Sequence, residues 1–137
     1  MPPNAQHLWS FLPWGYALTV ALELPVLLVG LSPRHPISRR VFVGVWLTAC
    51  TYPIVVLVLP LLVWSRFGET AYLIIAETFA PAAECLLFWL LFCRDANPNE
   101  QSPASQGWST FRDMAAIIVA NLVSFLLGGY LVKWLIT

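Results

Sequence analysis

The chain has 137 residues, of which 59% are hydrophobic and only 10% are charged, and its seven Lys or Arg residues balance its seven Asp or Glu residues. Soluble domains carry about 25% charged residues, so this composition excludes an ordinary water-exposed globule, a disordered chain and a disulfide scaffold. The balanced charge also excludes a basic surface for nucleic acid, and we therefore expect an all-α integral membrane protein.

Four apolar stretches are long enough to cross a bilayer as helices, because about 20 residues span its ~30 Å hydrocarbon core. The stretches cover residues 9–31, 41–64, 71–93 and 114–136. Only helices satisfy their own backbone hydrogen bonds in lipid at this length, so the sequence predicts a four-transmembrane-helix bundle formed by one domain, residues 1–137. We expect the first stretch to stay uncleaved, since it lacks the basic residues and the cleavage site of a secretory signal.

The basic residues predict how the chain is oriented in the membrane. The first and third connections hold or adjoin five arginines: Arg34, Arg39, Arg40, Arg94 and Arg112. Only Arg66 and Lys133 lie on the opposite side, so the positive-inside rule predicts a multi-pass protein of the inner (plasma) membrane with both termini on the outer, periplasmic side. The connection 94–113 is typical of a polar cytoplasmic loop, and Thr110 to Asp113 matches a capping box that would start the fourth helix.

Carboxyl, hydroxyl and amide side chains occur inside the predicted spans, where an ionised group costs several kcal/mol. With a rise of ~1.5 Å per residue, each helix places at least one such group roughly 10–15 Å above the cytoplasmic boundary. These residues are Glu23, Thr48, Thr51, Glu84 and Asn121. We therefore expect a shared polar layer inside the bundle, which is a candidate proton or cation site.

Two interpretations of this polar layer stay open. In the first, Glu23 and Glu84 are neutral and hydrogen-bonded, since the middle of the spans holds no basic partner for them. In the second, they bind a proton or a cation in function. Glu77 lies two helical turns from Glu84 on the same face, so it would be a second step of a polar track, ~10 Å nearer the outside. Prolines free backbone carbonyls nearby, as in broken-helix ion sites and in ordinary kinks: Pro25, Pro53, Pro60 and Pro81.

Small residues form a stripe on the fourth predicted helix, at successive i+4 positions: Ala116, Ala120, Ser124 and Gly128. Such a stripe lets a second backbone approach closely, and we expect Gly44 and Thr48 of the second helix to face it. The pattern leaves open whether the partner lies within the chain or in another protein. No motif predicts a metal site, a cofactor or an activated nucleophile.

Three classes of function remain. The small size and the stripe favour a non-catalytic subunit, or an assembly or stabilising factor, of a larger bacterial inner-membrane complex, such as a respiratory or photosynthetic one. Its partners would be lipid and other membrane subunits. The alternative is a small proton- or cation-coupled transporter that uses intramembrane glutamates. The third class is an intramembrane enzyme that uses Glu23, Glu84 and Asn121 as acid, base or metal ligands.

The chain size, the four predicted spans and a carboxyl group in the first span are similar to the small multidrug-resistance exporters. This resemblance covers the architecture and Glu23, and it implies transport coupled to protons. Glu77 and Glu84 depart from the pattern of that family.

Overall fold

The computed structural model describes residues 5–93 and 103–136 of the chain. This part of the chain is helical and contains no strand. Three helical stretches are long and apolar enough to cross a membrane: Leu8–Gly30, Ile37–Cys93 and Ser105–Tyr130. The prediction of an all-α chain with apolar helices of membrane length is therefore confirmed.

Within the described residues the chain forms four α-helices, and π-helical turns extend two of them. The helices are α1 (Ala5–Gly30), α2 (Ile37–Pro53), α3 (Ser65–Phe88) and α4 (Pro103–Ile136). Beyond α2 the chain continues in two π-helical segments, Ile54–Val58 and Pro60–Trp64, and beyond α3 in a third, Trp89–Cys93. Pro53 and Pro60 lack the backbone N–H that an α-helix would use, so the helix widens next to each of them.

The chain reverses direction at Gly68, within the long stretch Ile37–Cys93. Gly68 has φ 84° and ψ 178°, a conformation that glycine adopts without the steric cost of a Cβ atom. After the reversal, Tyr72 Oη donates a hydrogen bond to the carbonyl oxygen of Val55 at 3.2 Å. The rings of Trp64 and Tyr72 stack with centroids 5.4 Å apart. The connection predicted between the second and third apolar stretches, residues 65–70, thus holds the reversal, but it is a break at one glycine in a helical segment and not a loop.

The predicted start of the fourth helix is also wrong. The helix α4 runs from Pro103, so the expected polar loop 94–113 is helical from Pro103 onward. Asp113, expected in a capping box, lies well within α4 instead. Its side chain is fully buried and accepts a hydrogen bond from the backbone N–H of Ser32 at 2.6 Å. Its partners lie on another part of the chain, which is why the local sequence was misleading. Residues 94–102, including Arg94 of the orientation argument, lie outside the described residues.

The helix α1 packs against both α2 and α4, and α3 completes the bundle by packing against α2 and α4. The small-residue stripe of α4 faces α1: a Cβ atom on Gly30 would lie 2.8 Å from Cβ of Ala116. Gly44 instead meets Leu24 and Leu27 of α1. The expectation that Gly44 and Thr48 would face the stripe is therefore wrong, because α1 lies between α2 and α4.

Candidate functional site

Glu23 of α1 is 2% exposed and is held by hydroxyl groups from two other helices. Thr48 Oγ1 of α2 donates a hydrogen bond to Glu23 Oε2 at 2.8 Å. Ser124 Oγ of α4 donates to Glu23 Oε1, also at 2.8 Å. Both carboxyl oxygens therefore have partners, and neither partner carries a charge.

Glu84 of α3 is likewise 2% exposed and is held from α2 and α4. Thr51 Oγ1 donates to Glu84 Oε1 at 2.7 Å, and Asn121 Nδ2 donates to Glu84 Oε2 at 2.7 Å. The second proton of the Asn121 amide goes to the carbonyl oxygen of Ile117 at 3.1 Å, which establishes which end of the amide faces Glu84. The structure thus brings Glu23, Thr48, Thr51, Glu84 and Asn121 together, with Ser124 added from the stripe.

Each hydroxyl group in this set also lies close to a backbone carbonyl oxygen of its own helix. Thr48 Oγ1 is 2.8 Å from the carbonyl oxygen of Gly44, and Thr51 Oγ1 is 3.1 Å from that of Leu47. Ser124 Oγ is 3.0 Å from the carbonyl oxygen of Asn121. A hydroxyl group has one proton, so it donates either to the carboxylate or to the carbonyl. When it donates to the carbonyl, its oxygen can accept a proton from a neutral carboxyl group.

These side chains line a cavity of about 230 Å³ between the four helices, which we call the carboxylate cavity. Its polar wall includes both buried glutamates, and none of its lining residues is basic. Its remaining wall is largely apolar and includes Val55, Ala76, Ala80, Ile118, Leu122 and Phe125. The cavity is large enough for several water molecules or a small solute.

Glu77 lines the same cavity and is half-buried, but it takes no part in the hydrogen bonds that hold Glu23 and Glu84. Its proposed role as a second step of a polar track stays a prediction. Across the described residues, no group of three or more His, Cys, Asp or Glu side chains is arranged to hold a metal ion. Thr19 and Tyr52, which the sequence did not single out as site residues, also line the cavity.

A second buried polar group lies near the end of α1, and the sequence did not predict it. We call it the Asp113 cluster: Ser32, Arg34, His35 and Asp113. Arg34 Nη2 lies 2.6 Å from Asp113 Oδ2, and Asp113 is fully buried. His35 Nε2 lies 3.1 Å from the same oxygen. His35 Nε2 also lies 3.2 Å from Arg34 Nε, so this nitrogen contacts both members of the ion pair; Nδ1 is buried without a hydrogen-bond partner among the described residues.

Two further arginines bind backbone carbonyl groups near the same end. Arg40 donates to the carbonyl oxygens of Leu28, Ser32 and His35. Arg112 donates to those of Val29 and Gly30 at 3.3 Å and 2.9 Å. The last carbonyl groups of a helix have no partner within it, so these cations stabilise the end of α1.

One signal for the Asp113 cluster was present in the sequence. Asp113, Ile117 and Asn121 are spaced four residues apart, so a helix that starts before Asp113 places all three on one face. The capping box that the local sequence predicts places Asp113 at a helix start instead, outside the bundle. Its partner Arg34 is 79 residues away in sequence, beyond the reach of any local pattern.

The carboxylate cavity and the Asp113 cluster are the two arrangements that could carry a function. One offers two buried carboxyl groups with neutral donors, and the other offers a fully buried carboxylate paired with a partly buried arginine. Comparison with protein-family models, with curated proteins and with solved structures finds no match to this chain.

Proposed function

We propose that the chain is a small proton-coupled transporter of the bacterial inner membrane, in which Glu23 and Glu84 take up and release protons inside the carboxylate cavity. The observation that carries the proposal is the position of the hydroxyl groups of Thr48, Thr51 and Ser124. Each lies within hydrogen-bond distance of both a carboxyl oxygen and a backbone carbonyl oxygen.

This arrangement accommodates both protonation states without movement of the backbone. With an ionised Glu84, Thr51 donates to Oε1; with a neutral Glu84, Oε1 carries the proton and donates to Thr51, which turns its own proton to Leu47. Asn121 donates to the other oxygen, Oε2, in both states. A group that must gain and lose a proton in low dielectric needs such partners, because an unpaired buried polar atom is costly.

The surroundings favour a proton over a structural ion pair. Among the described residues no basic side chain lines the cavity, so a proton or an incoming cation would neutralise the two carboxylates. Ionisable groups within a membrane span are expensive and mark proton or substrate pathways. The cavity volume of about 230 Å³ leaves room for a small solute beside the carboxyl groups.

A four-span topology follows if the reversal at Gly68 lies at a membrane surface. The chain before Gly68 and the chain after it are each more than 20 residues long, enough for one crossing each. Arg34, Arg40 and Arg112 lie at one end of the bundle, near the end of α1. The positive-inside rule then puts that end in the cytoplasm and both termini on the outer side.

The proposal is tested by infrared spectroscopy and by proton flux. We expect the stretching band of protonated carboxyl groups to titrate with pH in the purified protein, and Glu84→Gln and Glu23→Gln each to remove part of it. In proteoliposomes with an imposed membrane potential and an internal pH dye, both variants should lose proton uptake. Glu69→Gln is the matched control, because Glu69 is exposed near the reversal. Uptake at the normal rate in both cavity variants would refute the proposal.

A role as a non-catalytic subunit or assembly factor stays a hypothesis. The stripe of α4 is one reason to expect a partner protein, but α1 occupies it, so the structure lends this hypothesis less support than transport. Native electrophoresis in mild detergent distinguishes the two. Migration of the chain with other membrane proteins would favour a subunit, and migration without them would favour the transporter.

A further inference from the structure

We infer that the Asp113 cluster and the apolar layer next to it form a closed gate, so that the carboxylate cavity exchanges protons and solute only with the opposite, Gly68 side. This inference rests on the proposed function, since a gate has meaning only for a cavity through which something passes. It assigns a role to the buried charges of the Asp113 cluster, which take no part in the proposed proton binding.

The four helices follow a common order at intervals of four residues, in which a buried apolar side chain lies next to each polar side chain of the cavity, on the side of the Asp113 cluster. From the cluster inward, α4 presents Asp113, Ile117 and Asn121. The corresponding sets on the other helices, which include residues just beyond the ends of α1 and α3, are Leu31, Leu27 and Glu23; Val43, Leu47 and Thr51; and Phe92, Phe88 and Glu84. One interval of four residues is ~6 Å along a helix, so the cluster lies roughly 12 Å from the carboxyl groups.

The middle of this order is a packed apolar layer. Its six side chains are at most 2% exposed: Leu27, Leu31, Val43, Leu47, Phe88 and Ile117. Protein interiors packed to this degree leave no space for a chain of water molecules. A proton or a polar solute in the cavity therefore cannot reach the Asp113 cluster without separation of the helices.

The Asp113 cluster holds these helices together at their ends. Arg34 belongs to the connection after α1, yet it binds Asp113 and Thr110 of α4 and also lies 3.5 Å from Sγ of Cys93, at the end of the π-helical segment that extends α3. The His35 ring packs edge-on against Phe88 with centroids 5.4 Å apart. One arginine and one histidine thus join three parts of the bundle above the apolar layer.

The other side of the cavity is less enclosed. Thr19, Tyr52 and Val55 line it toward Gly68, and all three are only partly buried. Phe125, another lining residue, is 39% exposed. Ile118 and Leu122, which also line the cavity, are 50% and 52% exposed, so the less enclosed wall includes this part of α4 as well. The structure therefore shows a cavity that is sealed toward the cluster and less enclosed elsewhere, as expected of one state of an alternating-access device.

Accessibility of a cysteine in the cavity tests the gate. The three native cysteines are replaced (Cys50→Ala, Cys85→Ala, Cys93→Ser), and Ala80→Cys places one thiol on the cavity wall. A membrane-impermeant maleimide is then added to vesicles of either orientation. We expect labelling from the Gly68 side at least about tenfold faster than from the cluster side, because a minor open state is populated at no more than about 10%.

Asp113→Asn should raise labelling from the cluster side, because the neutral amide no longer holds Arg34. Arg112→Gln is the matched control at the same end, since Arg112 binds only carbonyl groups of α1, and it should leave the sidedness unchanged. Ile117→Ala, which thins the apolar layer, replaces Asp113→Asn if that variant fails to fold. Equal labelling from both sides, labelling from neither side, or faster labelling from the cluster side in the unaltered background would overturn the gate.

The gate and the transport function fail in different ways. Labelling measures access alone, so one-sided labelling without proton uptake would retain the closed end and refute the proposed function. Two-sided labelling with normal proton uptake that depends on Glu84 would refute the gate and retain the function.

Discussion

The molecule buries acidic side chains in two regions, and the partners in those regions differ. Asp113 is fully buried and receives a guanidinium group at 2.6 Å together with a backbone N–H at 2.6 Å. Glu23 and Glu84 are buried to nearly the same degree, but their donors are hydroxyl groups and one amide. Burial alone therefore does not distinguish the two regions.

The difference lies in whether the partners can turn away. The backbone N–H of Ser32 is fixed in place by the chain, and Arg34 always carries its charge. Asp113 is therefore held as a carboxylate in an ion pair. The hydroxyl groups of Thr48 and Thr51 each have a second acceptor, so the carboxyl groups beside them can change protonation state. We therefore expect the first region to stay charged, whereas the proposed transport function assigns the change of charge to the second.

Loss of the cation from the Asp113 cluster is expected to have the largest effect on stability. Arg34→Gln leaves a buried carboxylate without its partner, which costs about 3–5 kcal/mol of unfolding free energy. Thermal and denaturant unfolding in detergent measures this loss. Arg112→Gln, at the exposed surface of the same end, should cost under about 1 kcal/mol. Equal losses in the two variants would mean that the Arg34–Asp113 pair contributes no more to the unfolding free energy than the exposed contacts of Arg112.

Removal of one hydroxyl group from the Asp113 cluster is expected to have a smaller effect. Ser32→Ala deletes the hydrogen bond from Oγ to Asp113 Oδ2, which is 3.1 Å long, and leaves the backbone N–H contact in place. A hydrogen bond to a charged group contributes about 1.5 kcal/mol or more. We expect a loss of that size, measured by the same unfolding experiment, and a loss near zero would contradict a fixed charge on Asp113.

Neutralisation of a cavity carboxyl group is expected to separate function from stability. Glu84→Gln keeps the shape of the side chain, and its amide can accept from Asn121 and donate to Thr51 as the neutral carboxyl group does, so the unfolding free energy should fall by no more than about 1 kcal/mol. Proton uptake should nevertheless be lost. If Glu84→Gln destabilised the protein as much as Arg34→Gln, the carboxylate cavity would have a structural role like that of the Asp113 cluster.

The smallest effect is expected from a single hydroxyl group in the cavity. Thr51→Val removes the donor to Glu84 Oε1, and polar contacts between membrane helices contribute about 0.6 kcal/mol on average. The infrared band of the protonated Glu84 carboxyl group should shift, because its hydrogen-bond partner is gone. Thr78→Val is the control, since Thr78 is exposed and bonds the carbonyl oxygen of Ile74. An unchanged band would show that Thr51 does not form a hydrogen bond with the protonated carboxyl group of Glu84.

Several features of the fold could be predicted because they depend on the chain locally. Helical structure follows from apolar stretches in which lipid cannot satisfy the backbone. The common depth of Glu23, Glu84 and Asn121 could be counted from the sequence, because the rise of a helix is constant. Which threonine binds which glutamate could not be counted, since it depends on how each helix is rotated about its own axis.

Other features could not be predicted from local patterns. The connection at residues 65–70 consists of a break at Gly68 within an otherwise helical segment. In the sequence, a single glycine among polar residues resembles any other turn signal. The stripe of α4 indicated close packing but carried no information on its partner, which proved to be α1.

The sequence by itself determined that the chain is helical, where its long apolar helices lie and that Glu23, Glu84 and Asn121 lie at matching positions along them, because composition, helix rise and backbone hydrogen bonding act on each segment separately. Only the tertiary structure decided that Asp113 lies in a bundle with Arg34, and that Glu23 and Glu84 share a cavity with rotatable donors. Those contacts join residues up to 101 positions apart, and their geometry is set by the packing of whole helices against one another.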